Sequence, residues 1–334
     1  MSKTSMEDLL ALYSGLADLS GSGDLYIART MNGRPRYRVA KDPEGNPTLL
    51  VAPEPSSHTT GGPSLELRNL SFRPKCVCRV QVEGATESVE TLAVLKCTTD
   101  DPMLREYFLR SLSGTIAALP TTPTEGDIAA AVAELVELFR ALEAPPRTSL
   151  QGLWCELFLI GRAPNIRQAA VAWHADPSAL HDFVAGRQRV EVKSTMGPHR
   201  THQFRLEQLI PPHGTDVVIA SFLLEESGRG ISIAELWDEV LGRQELSVGL
   251  RNRLSQILAL GLGSDWRKAR RVAFDPETAL NGLHLYNATV IPKVDPNLPA
   301  EVSEVRFKSE LTDTPPLSRA DVVRRGGLFK AMFG

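Results

Sequence analysis

Between Leu180 and Thr195 the chain reads LHDFVAGRQRVEVKST, two strand-like runs, LHDFV and RVEVKST, joined by AGRQ. If Gly186 and Arg187 form a two-residue turn, Gly stands at the first central position, as a type II′ turn requires. Paired residues then have numbers summing to 373, and Asp182 falls opposite Glu191. Strand side chains alternate between faces, so Lys193 projects with Glu191, while Phe183, Val190 and Val192 project from the other side. One face is apolar and can bury against a helix. The opposite face gathers two carboxylates and an ammonium, together with Leu180 and Val184.

Cross-strand neighbours lie about 4.5 to 5.5 Å apart at their Cβ atoms, so two carboxylates there repel unless a cation or a proton intervenes. A hard divalent ion answers that repulsion: Mg²⁺ takes one or two protein carboxylates, keeps several waters and leaves positions for a phosphate oxygen. Such an ion polarises a phosphate and helps generate a hydroxide nucleophile, with Lys193 orienting the water or balancing charge. A third acid, Glu156, lies in a helix expected from Ser149 to about Gly161, among Leu153, Trp154, Cys155, Leu157, Phe158, Leu159 and Ile160. An unpaired carboxylate in such surroundings is costly. Its face of the helix is shared with the small residues Ser149, Gly152 and Ala163, which allows close approach to a sheet and lets Glu156 reach the ion directly or through water.

The arrangement E-x(25)-D-x(8)-E-V-K-S-T resembles the PD-(D/E)XK nuclease superfamily, with Asp182 as first acid, Glu191-Val192-Lys193 as E-x-K, and Glu156 as the acid on the preceding helix. His181 stands where the motif has proline. The resemblance implies a restriction-endonuclease-like αβββαβ core with a mixed sheet, and one or two Mg²⁺ ions, with Mn²⁺ substituting, that hydrolyse phosphodiesters, usually in DNA. More narrowly, GLWCELFLI, the tryptophan of AVAWHAD, HDF, VEVKST and HQFRLEQL are similar to a bacterial family of PD-(D/E)XK motif proteins. That family is associated with restriction and phage-defence gene clusters, which implies protein partners of the ATPase or methyltransferase type. Gln208 matches the polar residue that many members place near the site after the third strand. His202 shares its strand parity and is expected at phosphate or at a solvated edge.

Around this segment the fold class expected is α/β, α+β overall. Residues 1–125 read as an N-terminal α+β domain: a helix from about Met6 to Leu19, the stop GSGD, strands around the Asn32-Gly33 turn signal, a Pro/Ser/Gly-rich loop over Ala52 to Ser64, the strands CVCRVQV and ETLAVLKC, and the helix MLREYFLRSLSGTIAAL. GSGD is no phosphate loop, because it follows a helix and precedes a strand. The nuclease-like core is expected over 126–245, from the amphipathic helix IAAAVAELVELFRAL onward. A helix and strands over 246–311 complete or flank it, and residues 312–334 are expected as a flexible tail. The N-terminal domain offers no chemistry of its own.

Net charge is only −3, so a nucleic acid must be held by local patches. Arg187, Arg189, Arg200 and Arg205 surround the expected site, and Arg267, Lys268, Arg270 and Arg271 form a second cluster beside Trp266. The bland reading of either set is that it solvates turns and a helix end. Likewise Glu191 and Lys193 alone read as a salt-bridged surface strand, and only Asp182, Glu156 and the nearby cations tip the balance toward a metal site. Four cysteines and no leader-like or membrane-spanning run place the chain in the cytoplasm. No G-x-S-x-G elbow occurs, and Cys155 lies inside an apolar helix, so nucleophilic triads are weak rivals. The stronger rival is a scaffold or nucleic-acid-binding subunit that no longer cuts.

Overall fold

The chain reverses where its glycine turn signals stand in the structure, a computed structural model that describes residues 9–18, 24–54, 63–174, 179–295, 297, 299 and 301–334. It divides into two units, Met1–Ala141 and Leu142–Gly334. In the first, α1 (Leu9–Ser14) precedes β1 (Leu25–Met31) and β2 (Arg34–Lys41), and Gly33 takes φ 69° between those strands. There follow β3 (Pro47–Val51), β4 (Leu65–Glu66), β5 (Leu70–Val82), β6 (Ser88–Cys97), α2 (Pro102–Ala118) and α3 (Glu125–Glu143). Because β1 pairs with both β2 and β5, the order β1-β2-β3-β6-β5 closes on itself as a five-stranded barrel, with β4 appended to β5. Ala28, Ala40, Leu50, Cys78, Val80, Leu92 and Val94 pack together as one core. Parts of the expected first helix (6–8 and 19), residues 21–23 of the glycine-rich stop and 55–62 of the expected loop lie outside the described residues.

Leu49, Val51 and Leu95 meet Leu112 and Ile116 of α2 and Ile128, Val132 and Leu135 of α3. The helix expected to open the nuclease-like core at 126 therefore groups with the first unit, its apolar stripe spent on that sheet.

The second unit is built on α4 (Leu150–Arg162), α5 (Ile166–Ala172), β7 (Phe183–Ala185) and β8 (Gln188–Thr195). After these come β9 (Thr201–Arg205), α6 (Leu206–Leu209), β10 (Asp216–Leu223), β11 (Glu226–Ser232), α7 (Ile233–Leu241) and α8 (Val248–Leu262). A 3-10 segment (Gly263–Arg270), β12 (Ala273–Phe274), α9 (Pro276–Asn281), β13 (His284–Asn287) and β14 (Arg306–Glu310) lead to α10 (Arg319–Arg324) and α11 (Gly327–Phe333). The central sheet has the order β13-β10-β8-β7, with β8 and β10 parallel and the other pairs antiparallel. It is a mixed sheet in an α+β protein.

α4 covers one face of this sheet: Phe158 meets Phe222 edge to face at 6.1 Å, and Trp154 stacks on Phe158 at 4.8 Å. The other face carries Val217 and Ile219, which pack with Phe204, Leu209, Tyr286 and Leu311. Phe204 belongs to β9, which pairs with β14 and not with the central sheet. An αβββ order thus holds along the chain, but the third strand leaves the sheet. His202 and Phe204 are buried and Thr201 and Gln203 exposed, the half-buried pattern of a strand that covers a face and does not sit inside a two-sided sheet.

The expected tail over 312–334 is a correction. α10 and α11 are ordered against the fold, and Leu328, Phe329, Ala331, Met332 and Phe333 are buried. Gly327 takes φ 55°, and a Cβ there would stand 2.4 Å from Gln188 Oε1, the atom that accepts the Leu328 N–H at 2.7 Å. The double glycine that looks like a breaker is a docking turn. Phe329 is fully buried, so Phe329→Ala is expected to cost about 3–5 kcal/mol, whereas a flexible tail would tolerate it. All four tryptophans lie in this unit, so their fluorescence during urea unfolding reads the effect directly.

Candidate active site

Gly186 takes φ 55° and Arg187 is not among the residues with positive φ, the type II′ pattern. The ladder pairs Phe183 with Val190, Val184 with Arg189 and Ala185 with Gln188, so every pair sums to 373. Phe183 and Val190 are fully buried. The ladder stops one residue short of Asp182, whose Oδ2 instead accepts the Val192 N–H at 2.7 Å. That bond pins the first acid beside Glu191 without a cross-strand backbone pair.

Glu191 is buried at 3% exposure. Its Oε1 accepts from Lys193 Nζ at 2.6 Å and from Gln208 Nε2 at 2.6 Å. Oε2 is buried without a hydrogen-bond partner. Gln208 is fully committed: its Nε2 also donates to Leu180 O at 3.0 Å, and its Oε1 accepts the Arg205 N–H at 3.0 Å. α6 therefore delivers Gln208 to the acid, and the side chain locks the strand, the helix turn and the carboxylate together. The Lys193 ammonium lies 5.3 Å from the centre of the Phe204 ring. The β9 strand therefore supplies a floor for Lys193.

Glu156 projects from α4, whose N-cap Ser149 accepts the Gly152 N–H. A methyl at Gly152 would crowd Ser149 Oγ at 3.2 Å and Thr148 Cγ2 at 3.3 Å, so the glycine keeps the capping turn tight one helical turn before the acid. Trp173 Nε1 donates to Glu156 Oε2 at 2.7 Å. This tryptophan is buried and uses its polar edge on an acid. His181, in the proline position of the motif, is buried and its Nε2 lies 3.3 Å from Gln208 O. No spacing rule points to either partner, since both contacts join separate segments. Glu156, Asp182, His174, His181 and Arg147 line one cavity of about 150 Å³ with Leu153, Ile257 and Leu260.

Burial and mutual repulsion govern the acids. Desolvation, then the Glu191 charge, pushes the Asp182 carboxyl up to about 8. Desolvation and the Asp182 charge raise Glu156 well above the ordinary carboxyl range. Glu191 is raised by burial, and Lys193 pulls it back. Among the described residues no group of three or more His, Cys, Asp or Glu side chains is arranged to hold an ion by itself. Of the three expected ligand acids, Glu156 accepts the Trp173 N–H on Oε2 alone, while the bond from Val192 N–H to Asp182 brings Asp182 and Glu191 together on the hairpin. Those two fit a hard divalent cation: both are carboxylates, Glu191 Oε2 is buried and unpartnered, and Mg²⁺ needs only one or two protein carboxylates besides water and substrate oxygens.

The expected cations are differently placed. Arg200 is a correction: it is buried, donating to Ser221 O and Oγ at 2.9 Å and to Gly282 O at 2.6 Å, so it ties β9 to β10 and is closed to substrate. His202 is also buried, with Nε2 2.7 Å from Ser221 Oγ, and not at a solvated edge. Arg189 donates to Gly186 O and Gln188 O, stitching the hairpin turn. The Arg187 guanidinium lies against Gly214. Arg267 stacks over Trp266 and Lys268 pairs with Asp265 at 2.8 Å, on a 3-10 segment that also carries Arg270 and is followed by exposed Arg271. Arg205 points outward from β9, with its backbone on Gln208. Burial drives the Cys155 thiol well up, so it is no nucleophile.

An acid whose folded pKa is raised costs the fold when it ionises: the stability is present below the ordinary value of 3.8 and lost as pH rises through about 8. Asp182→Asn keeps the acceptor for Val192 and removes that charge. In chelator the variant is expected to exceed the wild type in stability by roughly 1–3 kcal/mol at pH 8, the gap closing toward pH 4. Urea unfolding across that range checks it, and parallel curves would refute the strain.

A family model described as "Putative PD-(D/E)XK family member, (DUF4420)" matches residues 12–312. No curated protein and no solved structure matches the chain. With the match covering most of its length and the E-x-K strand, the first acid and the helix acid gathered in one place, the chain belongs to this PD-(D/E)XK family.

Proposed function

We propose that the protein is a Mg²⁺-dependent deoxyribonuclease, with Mn²⁺ as substitute, that hydrolyses phosphodiesters as a subunit of a bacterial restriction or anti-phage system. The observation that carries this reading is the buried, unpartnered Glu191 Oε2 beside Asp182, with the Lys193 ammonium 2.6 Å from the other oxygen of the same carboxylate. A surface salt bridge would leave neither atom out of water. Here the acid is held with one oxygen satisfied and one free.

Asp182 and Glu191 would hold the ion, which when bound supplies Lewis acidity toward the scissile phosphate. Gln208 and Val192 keep both carboxylates from rotating away through bonds of 2.6 and 2.7 Å. Lys193 has three N–H donors, of which one is spent on Glu191 and one reaches Gln208 Oε1 at 3.5 Å, so the third can hold a water for attack on phosphorus while the charge offsets that growing on the phosphoryl oxygens. Glu156, whose acid form is favoured by burial and by the Asp182 charge, can lend or take a proton at the cavity it shares with Asp182. Trp173 fixes its orientation.

The modest net charge favours a subunit that meets DNA with partners of the ATPase or methyltransferase type over a stand-alone DNA binder. No described helix is long and apolar enough to cross a membrane, and a cytoplasmic setting fits that reading.

Plasmid and single-stranded DNA, incubated with Mg²⁺ or Mn²⁺ with and without co-expressed neighbouring gene products, test the reading. Cleavage is expected to require the metal and to fall about 10²–10³-fold or more in Glu191→Ala and Lys193→Ala. Cutting that persists in both variants would exclude this site. Absence of cutting in every condition would leave a scaffold or nucleic-acid-binding subunit.

A further inference from the structure

The two-stranded ribbon of β9 and β14 pairs Arg205 with Arg306, Phe204 with Phe307, Gln203 with Lys308, His202 with Ser309 and Thr201 with Glu310. Alternation puts Phe204, His202 and Ser309 in the interior, and Phe307 packs against the same core. Arg205, Arg306, Lys308 and Gln203 are left on the outward face. Two guanidinium groups thus stand directly across the ladder, an arrangement that costs stability unless an anion relieves it. Among the described residues none of Arg205, Arg306 and Lys308 makes an ion pair. The acid on this face, Glu310, sits at the far end and is engaged by His199 Nδ1 at 3.1 Å.

The ribbon also runs into the site. Its ladder continues through the Leu206 N–H bond to Val305 O at 2.9 Å, and the Arg205 N–H holds Gln208, which holds Glu191. Its inward face puts Phe204 against Lys193. Arg306 and Lys308 are two residues apart on a strand, about 6.8 Å along its axis, far enough for each to take a separate phosphate. Of the other expected cations near the site, Arg200 is buried and Arg189 is spent on the hairpin turn, while Arg187 stays exposed at that turn beside Gly214 and belongs to no ribbon.

We infer that the outward face of this ribbon, Arg205, Arg306 and Lys308, is the tract that grips the phosphate backbone of a nucleic acid and leads it to the Asp182–Glu191–Lys193 site. The inference rests on the nucleic-acid reading of that site. Phosphate contacts position a strand without reading its sequence, so the tract is indifferent to base composition.

The test is fluorescence anisotropy of the full chain with a labelled duplex and a single strand of equal length, in EDTA so that nothing is cut, over about 50–200 mM salt. Arg306→Gln with Lys308→Gln is expected to weaken binding about tenfold or more and to lower the slope of log affinity against log salt by about 2, near 0.9 per lost contact. Arg205→Gln should act in the same direction with about half the change in slope. Arg267→Gln with Lys268→Gln is the comparison, since those cations are already engaged, and should change little. Tryptophan fluorescence confirms the fold, and both ribbon positions are exposed, so neutral glutamines leave the interior untouched. Unchanged affinity and slope in the ribbon variants, a larger loss in the comparison pair, or no binding by the wild type would overturn the inference. Cleavage with metal is scored separately: cutting with ribbon-independent binding refutes the tract alone, and ribbon-dependent binding without cutting refutes the nuclease reading alone.

Discussion

The contact on which the geometry of the candidate site depends is the one between Glu191 and two donors, Lys193 and Gln208, on a single carboxylate oxygen. A buried ion pair gains little net stability, because the desolvation of both charges offsets their attraction. Its value lies in geometry. With Oε1 taken twice, the carboxylate cannot rotate, and Oε2 is held in an unpaired position that a simple core would not tolerate. Three carboxylates around one ammonium leave excess negative charge if all ionise, and that repulsion adds to desolvation, the larger cause, in pushing Asp182 and Glu156 upward. The site is thus least comfortable in the ionised, cation-free state, a strain that natural proteins accept at functional centres.

The polar network reaches well beyond the motif. Gln208 joins Leu180, Glu191 and Arg205, His181 closes on the Gln208 carbonyl, and Arg200 with His202 meets Ser221 inside the same unit. Most of these donors and acceptors have partners, and in a low-dielectric interior such satisfied networks fix one arrangement against its neighbours. Apolar packing alone would permit β9 to slide along the core. The Gln208 amide and the Arg200 guanidinium do not, because a shift would strand several buried groups at once.

The hairpin was legible because its determinants are local: Gly at the first turn position, where a positive φ costs it nothing, a non-glycine residue at the second, and a period of two in the flanking strands. Register followed, and with it the nearness of Asp182, Glu191 and Lys193. Glu156 was legible as an acid in an apolar helix, and its need for a partner could be foreseen, though not that Trp173 would meet it. The misreadings share one cause, partners distant in sequence. Arg200 looks exposed until Ser221 and Gly282 fold over it. β9 looks like a central strand until β14, about a hundred residues later, claims its edge. The C-terminal segment looks mobile because its two glycines and scattered prolines outweigh, in any local window, five apolar residues whose contacts lie on α5 and the hairpin.

The same distance hides the cations of β14 from any local reading of the sequence. RFKSE has no cluster that stands out, only an arginine and a lysine separated by one apolar residue. In a strand that spacing puts both charges on one face and the phenylalanine on the other. Pairing with THQFR then adds Arg205 to the charged face and Phe204 to the buried one. One alternation thereby does two things with a two-stranded ribbon: it seals the apolar face under Lys193 and exposes a row of unpaired cations outside. A helix in the same place would spread three charges around its circumference. A short ribbon keeps them in line, and its end at Gln208 connects that line to the acids.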